Sequence, residues 1–102
     1  MKEAQPRRYK VEPGFGIKDQ IESIKTTSKK TGHLARFIEI LEEAVRRLEA
    51  DPHGWGDPEY RAKTVDAVAY RAILRPVVFR YVVYEQFSVV VLLNVRLFAE
   101  FD

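Results

Sequence analysis

The chain has 102 residues, no cysteine, and a formal net charge of only +2. That length makes one domain with a single core, and the absence of thiols excludes disulfides and thiolate zinc sites. No apolar stretch reaches about 18 residues without charge, so no transmembrane helix and no membrane partner are expected. "MKEAQPRRYK" has no apolar run of the secretory kind, and the expected location is the cytoplasm. The charges are unevenly spread: residues 1–36 hold nine Lys/Arg against four acids, residues 37–60 two against seven, and residues 61–102 six against four. Basic ends of this sort suit a phosphate-bearing or acidic partner, or an ordinary mixed surface.

In chain order, "RRYKVEP" predicts a short strand with Tyr9 and Val11 on one side and Pro13 ending it. "PGFG" is a turn signal. Ile17, Ile21 and Ile24 recur at spacings of four and three, which predicts a helix over roughly 17–29. Its polar, basic end "KTTSKKTG" suits the negative end of a helix dipole, and Gly32 suits a stop. A second helix follows from Leu34, Phe37, Ile38, Leu41, Ala44, Val45 and Leu48, with charges on the other side. Asp51-Pro52 ends it. The two helices form an antiparallel hairpin.

"HGWGDPEYRAKTVDA" reads as a loop, with Trp55 anchoring it on the core. Three strands then follow over 67–75, 77–85 and 88–98, with Pro76 marking the first turn. The expected fold is α+β, in the order β-α-α-β-β-β, with an antiparallel sheet and the helical hairpin packed on one face. The whole chain, 1–102, is a single domain.

The apolar strands carry arginines, and strand alternation sorts them. A hairpin in which Glu85 pairs with Ser88 puts Arg80 opposite Leu93, inside an apolar face. A hairpin in which Glu85 pairs with Val89 puts Arg80 opposite Asn94 and Val78 opposite Arg96. An unpaired buried arginine costs several kcal/mol, so the second register is expected. It implies a loop of Gln86, Phe87 and Ser88. Val77, Phe79, Tyr81 and Val83 then share the helix side with Val89, Val91, Leu93, Val95 and Leu97. Arg71, Arg75, Arg80 and Arg96, with Tyr84 and Asn94, share the open side.

Enzyme signatures are absent. "PGFG" does not have phosphate-loop spacing, no serine sits in a nucleophile elbow, and no metal site or cofactor is expected. His33 and His53 have no companion at metal-ligand spacing and read as surface or capping residues. The acids of the second helix read as a solvated face. What remains is the arginine side. Arginine binds phosphates and stabilises charge developing on them. Tyr84 could orient a proton, and mixed Arg and aromatic groups suit stacking on RNA bases.

This order of elements resembles the RelE/ParE superfamily of toxins from type II toxin–antitoxin systems, also known as plasmid stabilisation proteins. The likeness runs from "YKVEP" to "NVRLF". It rests on the strand and helical hairpin, the helix end "RLEADP", and the paired strands in "PVVFRYVVYEQFSVVVLLNVRLF". The resemblance implies a bacterial toxin-like protein that acts on translation by mRNA cleavage, or on DNA gyrase, and is neutralised by a small antitoxin. It implies catalytic roles for Arg75, Arg80, Arg96 and Tyr84, and nucleic-acid or partner contacts for Arg71 and Asn94. The implied partners are an antitoxin, and ribosome with mRNA or gyrase; a homodimer is left open. "VRLFAEFD" has no His or Tyr after Arg96, where ribosome-dependent nucleases of that superfamily often carry one. Endoribonuclease and non-toxic binding module, docking protein or nucleic acid, therefore both stay open.

Overall fold

The computed structural model describes residues 8–99. Arg7 of the predicted first strand and the end of "VRLFAEFD" lie outside that range. The elements are β1 (Lys10–Pro13), α1 (Ile17–Lys30), α2 (Leu34–Ala50), α3 (Pro52–Trp55), β2 (Asp57–Ala62), β3 (Ala67–Leu74), β4 (Val77–Tyr84) and β5 (Val89–Leu97). The five strands form one sheet in the order β1-β5-β4-β3-β2. The α+β class and the helical hairpin follow the expectation. The sheet is mixed, however, because β1 joins β5 in parallel while the other neighbours are antiparallel.

Local chemistry sets the helix ends. After α1, Gly32 takes φ 78°, a left-handed conformation that glycine adopts without Cβ strain. The Gly32 N–H donates to the Lys29 carbonyl and the His33 N–H to the Ser28 carbonyl, the paired bonds of a Schellman cap. Asp51 ends α2, and its carboxylate then accepts from the Gly54 N–H to start α3, with Pro52 in the first turn. One Asp-Pro pair thus stops one helix and opens the next.

The core lies between the helices and one face of the sheet. Ile17 and Ile24 of α1 and Phe37, Ile40, Ala44 and Leu48 of α2 meet Tyr70, Ala72, Val77, Phe79, Tyr81, Val83, Val90, Leu92 and Val95. Burying a side chain such as Phe37 stabilises by about 1.5–3 kcal/mol. The buried stripe of α2 is rotated from the expected one: Ile40 is buried, and Val45 is exposed. Both positions fit an apolar helical period, and the sheet selects between them.

Two further expectations are corrected. The segment read as a loop contains α3 and the edge strand β2. "DPEYRA" looks unlike a strand because it carries a proline and charges, features that protect an exposed edge from pairing with other chains. The second correction is the β4–β5 register. Arg80 pairs with Asn94 and Val78 with Arg96, as expected, but Tyr81 pairs with Leu92 and Tyr84 with Val89. Leu93 is an extra residue, a β-bulge. It changes the parity of β5, so Val90 and Leu92 point at the helices and Leu93 stands exposed. The Val95 N–H next to the bulge donates to the Gln20 side chain of α1 at 2.8 Å. The connection is a 3-10 turn, Glu85–Phe87, closed by Ser88 at φ 52°.

Candidate nucleic-acid interface

The bulge lets β5 serve both faces. Val90, Leu92 and Val95 enter the core, while Asn94 and Arg96 pair with Arg80 and Val78 and, at the edge of β5, line a groove with Asp19, Gln20 and Ser23 of α1. On the open side, Asn94, Arg80 and Arg71 are register partners in one row across β5, β4 and β3, and Asp57 of β2 continues it. Arg96 stands in the next row, opposite Val78. Directly paired side chains in a sheet lie roughly 4.5–5.5 Å apart at Cβ. Arg71 and Arg80 are therefore close enough to repel each other and to hold one anion together.

Glu59 answers part of that repulsion. The β2–β3 register shifts between Pro58 and Tyr60, which leaves Glu59 out of the ladder. Its carboxylate takes a hydrogen bond from Arg80 Nη2 at 3.1 Å. Among the described residues, Arg71 and Arg96 have no carboxylate within salt-bridge distance. Beside the row, Ala67, Ala69 and Val82 are buried against Tyr84 and Ala62, and Val78 is also buried. An apolar floor of this kind strengthens an ion contact made above it.

Two expected site residues stand elsewhere. Tyr84 shares the open face but pairs with Ala67 and Val89. Four residues of strand separate it from Arg80, roughly 13 Å. Arg75 sits in the β3–β4 turn beside a cis Arg75–Pro76 bond. Its guanidinium lies 5.6 Å from the Phe98 ring centroid, and it lines a groove with Arg36, Glu43 and Arg46 of α2. The row therefore gathers Arg71, Arg80 and Asn94, with Arg96 adjacent, and leaves Arg75 and Tyr84 out.

At the edge of the row is a notch of about 420 Å³ lined by Trp55, Asp57, Glu59, Arg71, Ala72 and Ile73. It forms because β2 begins only at Asp57, opposite Arg71, so the last residues of β3 run past it. Trp55 anchors this end as expected: its ring stacks on Tyr81 at 5.9 Å and tilts against Phe79 at 5.6 Å, with Arg47 lying 5.8 Å from the indole centroid.

The covered face holds a polar network that sequence spacing concealed. His53 is not alone: Nδ1 is hydrogen-bonded to the Tyr70 hydroxyl at 2.5 Å, and Nε2 faces the Glu85 carboxylate at 2.6 Å. Tyr9 donates to the same carboxylate at 3.0 Å. Alongside, Tyr81 donates to the Pro52 carbonyl at 2.6 Å and accepts from the Gly56 N–H at 3.0 Å. A Cβ on Gly56 would lie 2.7 Å from that hydroxyl, so the contact requires glycine. Burial pushes the Tyr70 and Tyr81 phenols above their ordinary values; for Tyr81 the Gly56 N–H opposes the shift in part. With Tyr9 and Tyr70 buried and the His53 and Glu85 side chains partly exposed, the network ties β1, α3, β3 and the β4–β5 turn together. Its members lie at positions 9, 53, 70 and 85, and no local motif joins them. Among the described residues, no group of three or more His, Asp or Glu is placed to hold a metal ion.

No protein-family model, no curated protein and no solved structure matches this chain.

Proposed function

We propose that the open face binds the phosphate backbone of single-stranded RNA, and that the protein is a toxin-like component of a type II toxin–antitoxin pair of the RelE/ParE kind. The observation that carries this reading is the row Arg71–Arg80–Asn94, with Arg96 beside it, on the sheet face opposite the core. Two arginines in register offer several N–H donors to one phosphate. The adjacent apolar floor favours a weakly hydrated guanidinium–phosphate contact. In this reading Arg71 and Arg80 hold the anion with Arg96 beside them, Asn94 donates to a sugar or phosphate oxygen, and an antitoxin covers the face when the pair is at rest.

The test is expression of the chain without a partner, together with RNA binding across a salt series. Growth arrest lost in Arg80→Ala and Arg96→Ala supports the reading. Arrest that survives both substitutions removes the sheet-face mechanism. Ribosome-stimulated mRNA cleavage then separates action on translation from action on gyrase. A second reading, a non-toxic module that docks nucleic acid or protein, is favoured by the Glu59–Arg80 pair, which already neutralises one arginine of the row. RNA binding without growth arrest selects it.

A further inference from the structure

The arginine row and the notch beside it are one surface. They share Arg71 and Glu59: Arg71 is the register partner of Arg80, and Glu59 lines the notch while holding Arg80. Their chemistry is complementary. The row offers positive N–H donors, and the notch offers two carboxylates, Asp57 and Glu59, beside the only tryptophan of the chain. Its volume of about 420 Å³ lies within the range of small-molecule clefts, about 300–1,000 Å³.

Resting on the RNA-directed reading above, we propose that the notch is a base-binding subsite for a nucleotide whose base presents paired N–H donors, guanine above all, with Glu59 as its selectivity element. A bare phosphate that approaches Arg80 must compete with the Glu59 carboxylate. It offers that carboxylate nothing in return, and the two anions repel each other. A guanine nucleotide satisfies both sides. Its phosphate meets Arg80 and Arg71, while its N1–H and N2–H₂ edge donates to Glu59 or Asp57. RNA bases outside a duplex are read in this way, on their Watson–Crick edge. Uracil presents a single N–H on that edge, between two carbonyls that repel a carboxylate, so it leaves the acids poorly paired. A site built for a donor edge rejects a ligand that lacks it much more strongly than an apolar pocket rejects a missing methylene. With Tyr81 stacked on the indole and Arg47 close to it, the base meets the rim of Trp55 in the notch.

The experiment uses the full chain and two single-stranded RNAs of about twelve nucleotides, a length suited to one small binding surface. One is all uridine, and the other carries two guanosines in the same background. Anisotropy reads binding, and Trp55 emission reads occupation of the notch. The expected result is about tenfold tighter binding of the guanosine-bearing RNA, with a change in Trp55 emission that the uridine RNA does not cause. Glu59→Gln should bring the two RNAs to within about threefold. It should also increase affinity for the uridine RNA, because Arg80 is released. Equal affinities in the wild type, or a guanosine preference undiminished in Glu59→Gln, overturns the subsite while leaving RNA binding in place. Failure of both RNAs to bind overturns the RNA reading itself and the subsite with it. A lysine-rich peptide that alters Trp55 emission when neither RNA does assigns the notch to a cationic partner instead, and also overturns the proposal.

Discussion

Along β4, Val77, Phe79, Tyr81 and Val83 lie sealed under the helices, while Val78, Arg80 and Val82 alternate with them on the other side. The same strand therefore serves two environments. On the covered face every phenol has a partner and the polar groups are threaded between core residues. On the open face Arg80 is solvent-exposed, and among the described residues it is the one arginine of the row held in an ion pair. Covered polar groups hold segments distant in sequence; open ones stay available to something outside the chain. The difference implies a clean division. Changes on the covered face should alter stability and spare binding, and changes on the open face should do the reverse.

Tyr81→Phe should test the covered side most severely. It removes a hydroxyl that serves the Pro52 carbonyl and the Gly56 N–H, leaving both without that partner. Each buried group left unpaired costs about 1–3 kcal/mol, so a loss of about 2–4 kcal/mol is expected in urea denaturation. The pH dependence gives a second readout. The folded phenol is held above its ordinary value, so above about pH 10 the unfolded chain releases a proton that the folded chain keeps. Stability contributed by the neutral phenol is complete below about pH 10 and falls as pH rises beyond it. Tyr81→Phe should lack that part of the alkaline slope. An unchanged slope would refute the burial account.

His53→Ala is next in size. It strips the Tyr70 hydroxyl of its nitrogen partner and takes one contact from Glu85, which Tyr9 still supports. About 1–2 kcal/mol of stability should be lost. RNA affinity should stay within about twofold, as expected for a network away from the phosphate path. A large loss of RNA affinity at unchanged stability would move the functional site to the covered face and break the division.

Arg80→Ala should show the opposite pattern. Stability should change by less than about 0.5 kcal/mol, because an exposed ion pair contributes little and the substitution also relieves repulsion from Arg71. RNA binding should weaken about tenfold at low salt, and the slope of log affinity against log salt should fall by about one phosphate. Arg75→Ala, away from the row, should leave the slope unchanged. Equal effects from Arg75 and Arg80 would mean a diffuse basic surface and no site.

These regions differed in how well the linear chain disclosed them. Alternation, with the hairpin register chosen to keep Arg80 out of the apolar face, put Arg71, Arg80 and Asn94 on one side. It also separated the core half of β4 correctly. It could not reveal the bulge at Leu93: the register that keeps Arg80 beside Asn94 was carried along the whole hairpin, whereas the chain uses it only from Val77 to Arg80 and takes the other register from Tyr81 to Tyr84. Arg75 was misplaced because the strand ends at Leu74, and a turn does not continue the alternation. β2 was hidden by the same proline and charges that protect it as an edge. The His53 network was hidden by distance along the chain, since a histidine shows its partners only after folding. A weak clue existed in the tyrosines: Tyr81 fell on the helix side of β4, where a buried hydroxyl needs a partner.

Among the described residues the covered face has one exception to its rule of partnered polar groups, and it gives the finest test. Ser28 of α1 is fully buried, and its hydroxyl has no hydrogen-bond partner. A buried hydroxyl without a partner costs about 1–3 kcal/mol by mutational measures, and serine is a poorer helix former than alanine by roughly 0.5 kcal/mol. Against this, Ser28→Ala removes one small atom from a packed site and leaves a void too small to cost much. The balance favours alanine, so stability should rise by up to about 1 kcal/mol, with RNA binding and its salt slope unchanged. A loss of stability would mean that the hydroxyl is bonded in solution and that the covered face admits no unpaired group at all. A gain would mean that packing around α1, with His33 bonded to the Ser28 carbonyl in the cap, outweighs one orphaned oxygen.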